Sequence, residues 1–333
     1  MPGPKVRAAL LACTVAACVT ALLSSCTAAP AADDWVLTPI AYANASDGSP
    51  PEPTIDVTYP MPHIAPDTAG GLWTESAGSW LHLEARGEAP RRFNVEGEMA
   101  SLRVRGIAAT DPSTVIVSGG IDGAREGSLW RFDTSSMRWS AISTTATVVG
   151  DVALTGGAVA YVEYLVDARG GVSAVIHRLD DRGGDPDADR VVSPVFPVGA
   201  DGVVELSAAA DGTLVANTGT RLLLITPSGG LSEVATLDAA EPLSAASPGG
   251  VIAWAVAADR RGGPWFVDGG SPEARRIVEA NEDCGARRIA FTDGRVSPAL
   301  CDLQAMAWID ERTLIVSVGA EGGAVLAKIR PPE

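Results

Sequence analysis

Apolar residues along this chain fall in short runs, rich in Val, Ile, Leu and Trp, broken at close intervals by Gly, Pro, Asp and Ser. That rhythm predicts strands and turns; the helical period is missing after the first 25 residues. Thr114–Thr144 shows it in compact form. Thr114–Ser118 reads as a β-branched strand, and Gly119-Gly120 as the place where the backbone turns or packs closely against a neighbour. Ser128–Asp133 is an aromatic strand around Trp130, Asp133 to Ser136 has turn chemistry, and Met137–Ile142 is a third strand carrying Trp139.

Similar sets recur along the sequence. Leu72–Glu75, Trp80–Glu84 and Arg91–Val95 form one, and Leu214–Val215, Leu222–Ile225 and Leu231–Leu237 another. Between them lie Val148–Leu154, Gly157–Leu165, Ser173–Leu179 and Val191–Phe196. Val251–Ala257, Pro264–Asp268 and Arg275–Val278 follow, and Met306–Ile309, Thr313–Val318 and Ala324–Ile329 come last. One early strand per set, at Trp73, Val117, Tyr161, Val215, Trp254 and Ile315, gives six units spaced by 44, 44, 54, 39 and 61 residues. Repeats of about 40–50 residues are the period of a β-propeller. An open sheet leaves edges and an apolar face that only neighbouring blades can cover, so the ring must close. The expected fold is therefore an all-β, six-bladed β-propeller, with five to seven blades in range, over residues 64–333. Its last unit shows three strands, so the fourth is expected from the N-terminal arm, Trp35–Ala43 or Thr54–Thr58. The buried tryptophans of such a fold would pack between blades.

The Thr114–Thr144 unit, with its Gly-Gly doublet and spaced Trp residues, resembles a kelch repeat. Gly70-Gly71-Leu72-Trp73 and Asp211-Gly212-Thr213-Leu214 resemble the blade openings of NHL-repeat and streptogramin-lyase propellers. The likeness implies the scaffold; the His-bearing motif of the lyases has no match here, so lyase activity is not implied.

The first 25 residues change the picture of location. Lys5 and Arg7 precede an apolar run, Ala8–Leu23, with no acidic residue, which is the layout of an export signal. Leu23-Ser24-Ser25-Cys26 resembles the lipobox of bacterial lipoproteins, which implies a diacylated Cys26, residues 26–63 as tether and extended arm, and anchoring to the membrane without spanning it. Loss of the leader leaves 308 of 333 residues and takes the formal charge from −16 to −18. So acidic a surface repels phosphate backbones, and nucleic acid is not an expected partner. Scarce Lys and abundant Ala and Gly resemble the codon bias of a high-GC actinobacterium. Of the five Cys, Cys284 and Cys301 remain beyond the leader and lipid site, an even remainder expected to form a disulfide in an oxidising compartment.

Chemistry is sparse. Only His63, His82 and His177 occur, the last two in strands where a satisfied or solvated imidazole is expected, and no hydrolase, metalloprotease or nucleotide-binding motif is present. Asp185, Asp187 and Asp189 alternate as hard-cation ligands can, but Pro186 and the lack of a Glu at Phe196 favour a solvated acidic turn. No cofactor is expected. The leading expectation is a monomeric, non-enzymatic envelope lipoprotein binding a protein or glycan. The alternative is a hydrolase or lyase, whose mark would be converging carboxylates with an Arg in the central channel.

Overall fold

The computed structural model describes residues 36–39, 42–43, 53–54, 63–76, 79–83, 91–94, 97–121, 127–180, 186–198, 202–237, 243–258, 285–300, 302–320 and 323–330. The leader, Cys26, Cys284, Cys301, Asp185 and the expected strands Pro264–Asp268 and Arg275–Val278 lie outside these. No described helix is long and apolar enough to cross a membrane.

The chain forms a β-propeller. After β1 (Val36–Pro39) and the two-residue partners β2 (Tyr42–Ala43) and β3 (Pro53–Thr54), it lays down antiparallel meanders. The first comprises β4 (Ile64–Pro66), β5 (Leu72–Ser76), β6 (Ser79–Leu83) and β7 (Arg91–Asn94). The second comprises β8 (Leu102–Asp111), β9 (Thr114–Ile121), β10 (Ser128–Asp133) and β11 (Arg138–Ile142). In the third, β12 (Val149–Thr155), β13 (Ala158–Val166) and β14 (Val172–Leu179) are followed by an outer edge split into β15 (Asp189–Val191) and β16 (Phe196–Pro197). The fourth holds β17 (Glu205–Ala208), β18 (Leu214–Asn217), β19 (Arg221–Ile225) and β20 (Leu231–Thr236). The fifth has three described strands, β21 (Ser244–Ala246), β22 (Ile252–Ala257) and β23 (Arg287–Phe291). The last holds β24 (Leu303–Trp308), β25 (Leu314–Ala320) and β26 (Gly323–Arg330). Among the described residues five of these sheets thus have four strands or more, β1 being the fourth of the last, and the fifth sheet has three.

The inner strands close a ring: β4 lies beside β8, β8 beside β12, β12 beside β17, β17 beside β21, β21 beside β24, and β24 beside β4. As expected, the N-terminal arm completes the last sheet. β1 pairs antiparallel with β26, Val36 opposite Arg330 and Pro39 opposite Ala327, so the two ends of the described chain share one blade.

Packing explains why the apolar runs are nearly continuous. Each sheet is buried on both faces, so alternate residues enter different interfaces. Val115 and Val117 pack with Trp73 and Trp80 of the first sheet, whereas Ile116 between them packs with Val152 and Tyr161 of the third. Ala160 and Val162 face Leu214 and Ala216 across the next interface. Burying each such aliphatic side chain contributes about 1.5–3 kcal/mol.

A recurrent turn joins inner to second strand. Asp67 N–H donates to Gly71 O, Ala209 N–H to Thr213 O and Ser247 N–H to Val251 O, and Gly70, Gly212 and Gly250 take φ of 83°, 88° and 84°. These left-handed positions account for a glycine at each. Gly71 has a different reason: a Cβ there would lie 2.6 Å from Asp67 Oδ2 and 2.8 Å from His82 Nε2. Gly119-Gly120, expected to end a strand, instead lies inside β9, where a Cβ on Gly119 would meet Arg103 O at 2.4 Å; close approach, the other reason for glycine, applies.

Candidate functional site

The inner strands surround a central channel of about 1030 Å³. Its wall is mostly small and apolar, with Ala65, Ala108, Ala153, Ser207, Ala245 and Ala307 at equivalent register positions. The end where the inner strands finish is uncharged, lined by Pro66, Ala109, Leu154 and Pro248. The end where they begin carries the charge. There His63, Gly106, Asp151 and Glu205 occupy equivalent positions on successive sheets, each two residues before the small wall residue, and Arg105 and Gln304 join them.

Two carboxylates tie adjoining inner strands together. The free edge of each inner strand presents N–H groups that need acceptors, because its next neighbour around the ring is another sheet. Asp151 Oδ2 accepts from Leu206 N at 2.7 Å, and its Oδ1 from Val152 N at 2.7 Å. Glu205 Oε2 accepts from Ser244 N in the same way one sheet further on, and Ser207 Oγ accepts from Ala246 N at 3.1 Å. Asp151 has this reach because position 106 has no side chain; a Cβ on Gly106 would sit 1.6 Å from Asp151 Oδ1.

Burial sets the protonation of this pair. It pushes Asp151 up to about 7, against the two backbone N–H groups and His63, which favour the ionised form. Glu205 is raised well above the carboxylate range by burial and by the charge of Asp151, with Ser244 opposing. Tyr164, whose hydroxyl accepts from Val204 N at 2.9 Å, is pushed up to about 12 by burial. Arg105 donates to Val149 O at 2.7 Å, and His63 Nδ1 lies 3.5 Å from Glu75 Oε2. Ser244 is 2% exposed, and its Oγ beside Glu205 makes no hydrogen bond of good geometry.

The other two histidines are structural. Near the end where the inner strands finish, but outside the channel lining, Arg91 donates to His82 Nδ1 at 3.0 Å, so His82 Nε2–H donates to Asp67 Oδ2 at 2.6 Å. His177, between the second and third sheets, has Glu163 Oε2 2.9 Å from Nε2 and Asp189 Oδ1 3.1 Å from Nδ1. Tyr161, stacked on His177, donates to Asp189 Oδ2 at 2.5 Å, and Thr145 donates to the same oxygen from both N and Oγ1 at 2.7 Å. Burial alone would raise Asp189; the Tyr161 and Thr145 hydrogen bonds and His177 hold it below its ordinary value. Both carboxylate oxygens of Asp189 thus accept hydrogen bonds from protein partners.

Sequence reasoning missed the channel residues Arg105, Asp151, Glu205 and Ser244 and left His63 in the arm. The signal was the turn out of each inner strand: counting back four residues from Asp67, Thr155 and Ala209, where the chain enters that turn, gives His63, Asp151 and Glu205.

No family model and no curated protein sequence matches the chain. Solved structures match in fold. A Bacteroides thetaiotaomicron protein of unknown function aligns with a TM-score of 0.56 at 12% identity, over 89% of this chain and 76% of that one. A Hadza microbial sialidase aligns with a TM-score of 0.53 at 10% identity, over 82% and 66%. A candidate gluconolactonase aligns at 0.47 and 13%, over 90% and 94%. At these identities the likeness is one of fold alone.

Proposed function

We propose that the protein is an exported lipoprotein, anchored through Cys26 and braced by a Cys284–Cys301 disulfide, whose propeller holds a polar group of an envelope protein or glycan in the charged mouth of its channel. The observation that carries this is the placement of Asp151 and Glu205 on adjoining inner strands, at one end of a channel otherwise lined by small apolar residues. The geometry favours the channel mouth as the binding element. Strands fix these side chains more firmly than loops would, which suits recognition.

A second reading is favoured by the same mouth. Two carboxylates with raised pKa values in a channel that Arg105 also lines are the arrangement expected of a hydrolase or lyase with an acidic site. Against it stand the backbone N–H bonds on both carboxylates, which stabilise their ionised forms and fix their orientation.

The test is capture from detergent-solubilised envelope with the full-length protein and its Asp151→Asn/Glu205→Gln variant. A protein or glycan retained by the wild type and lost by the variant supports the binding reading. Capture indifferent to the variant overturns it, and turnover of chromogenic glycosides, esters or lactones that the variant abolishes establishes the second. Mass spectrometry of the same sample reads the acyl groups on Cys26 and the Cys284–Cys301 linkage.

A further inference from the structure

We infer that the group held in the channel mouth is a primary ammonium, as on a lysine side chain or an amino sugar, with the Glu205 and Asp151 carboxylates and Ser244 Oγ as its acceptors. The inference rests on the reading that the mouth is a ligand site and goes further by naming the chemistry of the ligand. An ammonium has three N–H donors and no acceptor, and the mouth offers a matching set. Glu205 uses Oε2 for the Ser244 backbone and has the Ser244 hydroxyl beside it, which leaves lone pairs on the carboxylate open to a further donor. Each Asp151 oxygen accepts one backbone N–H and retains a second lone pair.

Ser244 Oγ is the independent sign. A hydroxyl on a residue only 2% exposed ordinarily has a partner, since a buried unsatisfied group costs about 1–3 kcal/mol. This one lines the channel beside Glu205, where a bound donor would satisfy it. The other charged groups about the mouth are His63 with Glu75 behind it, Arg105 donating to Val149 O, Tyr164 bonded to Val204, and exposed Asp302. Burial raises Asp151, to about 7, and Glu205, so an ammonium would take the place of the proton that burial favours on each. A metal ion fits less well, because the described residues supply no cluster of three metal-ligating side chains.

Isothermal titration of the full chain in non-ionic detergent tests this with matched probes: cadaverine against 1,5-pentanediol, and glucosamine against glucose. The amines should bind at least tenfold more tightly than their neutral counterparts. Their affinity should rise from pH 6 to 8, and protons should be released at pH 6.5, read from the buffer dependence of the heat. Glu205→Gln should cost the amines tenfold or more, and Ser244→Ala about threefold, with thermal melts confirming that both variants fold. Neutral probes binding as tightly as the amines would overturn the ammonium inference while leaving a ligand site. No heat from any probe at millimolar concentration would overturn both.

Discussion

Gly106→Ala isolates the geometry of the channel mouth in one methyl group. The new Cβ would fall 1.6 Å from Asp151 Oδ1 and 3.0 Å from Val152 N, so the carboxylate must leave its place. Leaving breaks its bonds to Val152 N and Leu206 N, both 2.7 Å, the second of which joins the third sheet to the fourth. Hydrogen bonds to a charged group are worth about 1.5–3 kcal/mol each, and freeing a buried carboxylate recovers part of that. The expected net loss is about 2–4 kcal/mol, read as a lower urea midpoint at unchanged slope. Gly106 does not have a positive φ, so alanine itself is not strained there. In an Asp151→Ala background only the 3.0 Å approach to Val152 N remains, so the same substitution should cost at least about 1 kcal/mol less than in the wild type. A loss below about 0.5 kcal/mol in the wild type, or an equal loss in both backgrounds, would refute the placement of Asp151.

Three further outcomes follow from the same geometry. Asp151 titrates near 7 when folded and near 3.8 when unfolded, so the folded state holds the extra proton between those values and stability falls as pH rises through that window. Urea melts of wild type and Asp151→Asn should therefore diverge by about 2–4 kcal/mol between pH 4 and 8, the wild type losing more; parallel curves would remove the raised pKa. His177→Gln at pH 7 leaves Glu163 and Asp189 without the imidazole between them and should cost about 2–4 kcal/mol in chemical melts, whereas a change under 0.5 would show that the cluster is not a brace. Leu37 and Thr38 point their N–H groups to opposite sides of β1, so prolines at both remove a donor from the β1–β26 ladder whichever of them supplies it, and should lower the thermal midpoint and speed limited proteolysis of the last sheet; unchanged cleavage would contradict closure by β1.

How much was legible follows from where side chains are large. Outer and middle strands such as Ser128–Asp133, with Trp130 and Phe132, announce themselves and were placed within a residue or two. The inner strands β4, β17 and β21 were missed as separate elements: Ile64–Pro66, Glu205–Ala208 and Ser244–Ala246 are short and built of Ala, Ser and Pro, because a channel wall has no room for bulk. Glu205 and Ser244 sit on those strands and were missed with them, whereas Asp151 sits on β12, a strand expected at Val148–Leu154 whose carboxylate nothing local marks as part of a site. Asp151 and Glu205 lie 54 residues apart, and only the ring brings them to adjoining strands. Ring closure was legible because the last unit lacked a strand and the arm had one to give, as β1 does.

Whether Asp151 and Glu205 form a cation-binding mouth is read most directly by carbon-13 NMR of the two side-chain carboxyls, assigned through Asp151→Asn and Glu205→Gln, at pH 6.5 with and without cadaverine. Both resonances should move toward the ionised position when the amine is added. Carboxyls that stay put while the amine saturates elsewhere on the surface would contradict cation binding by the pair.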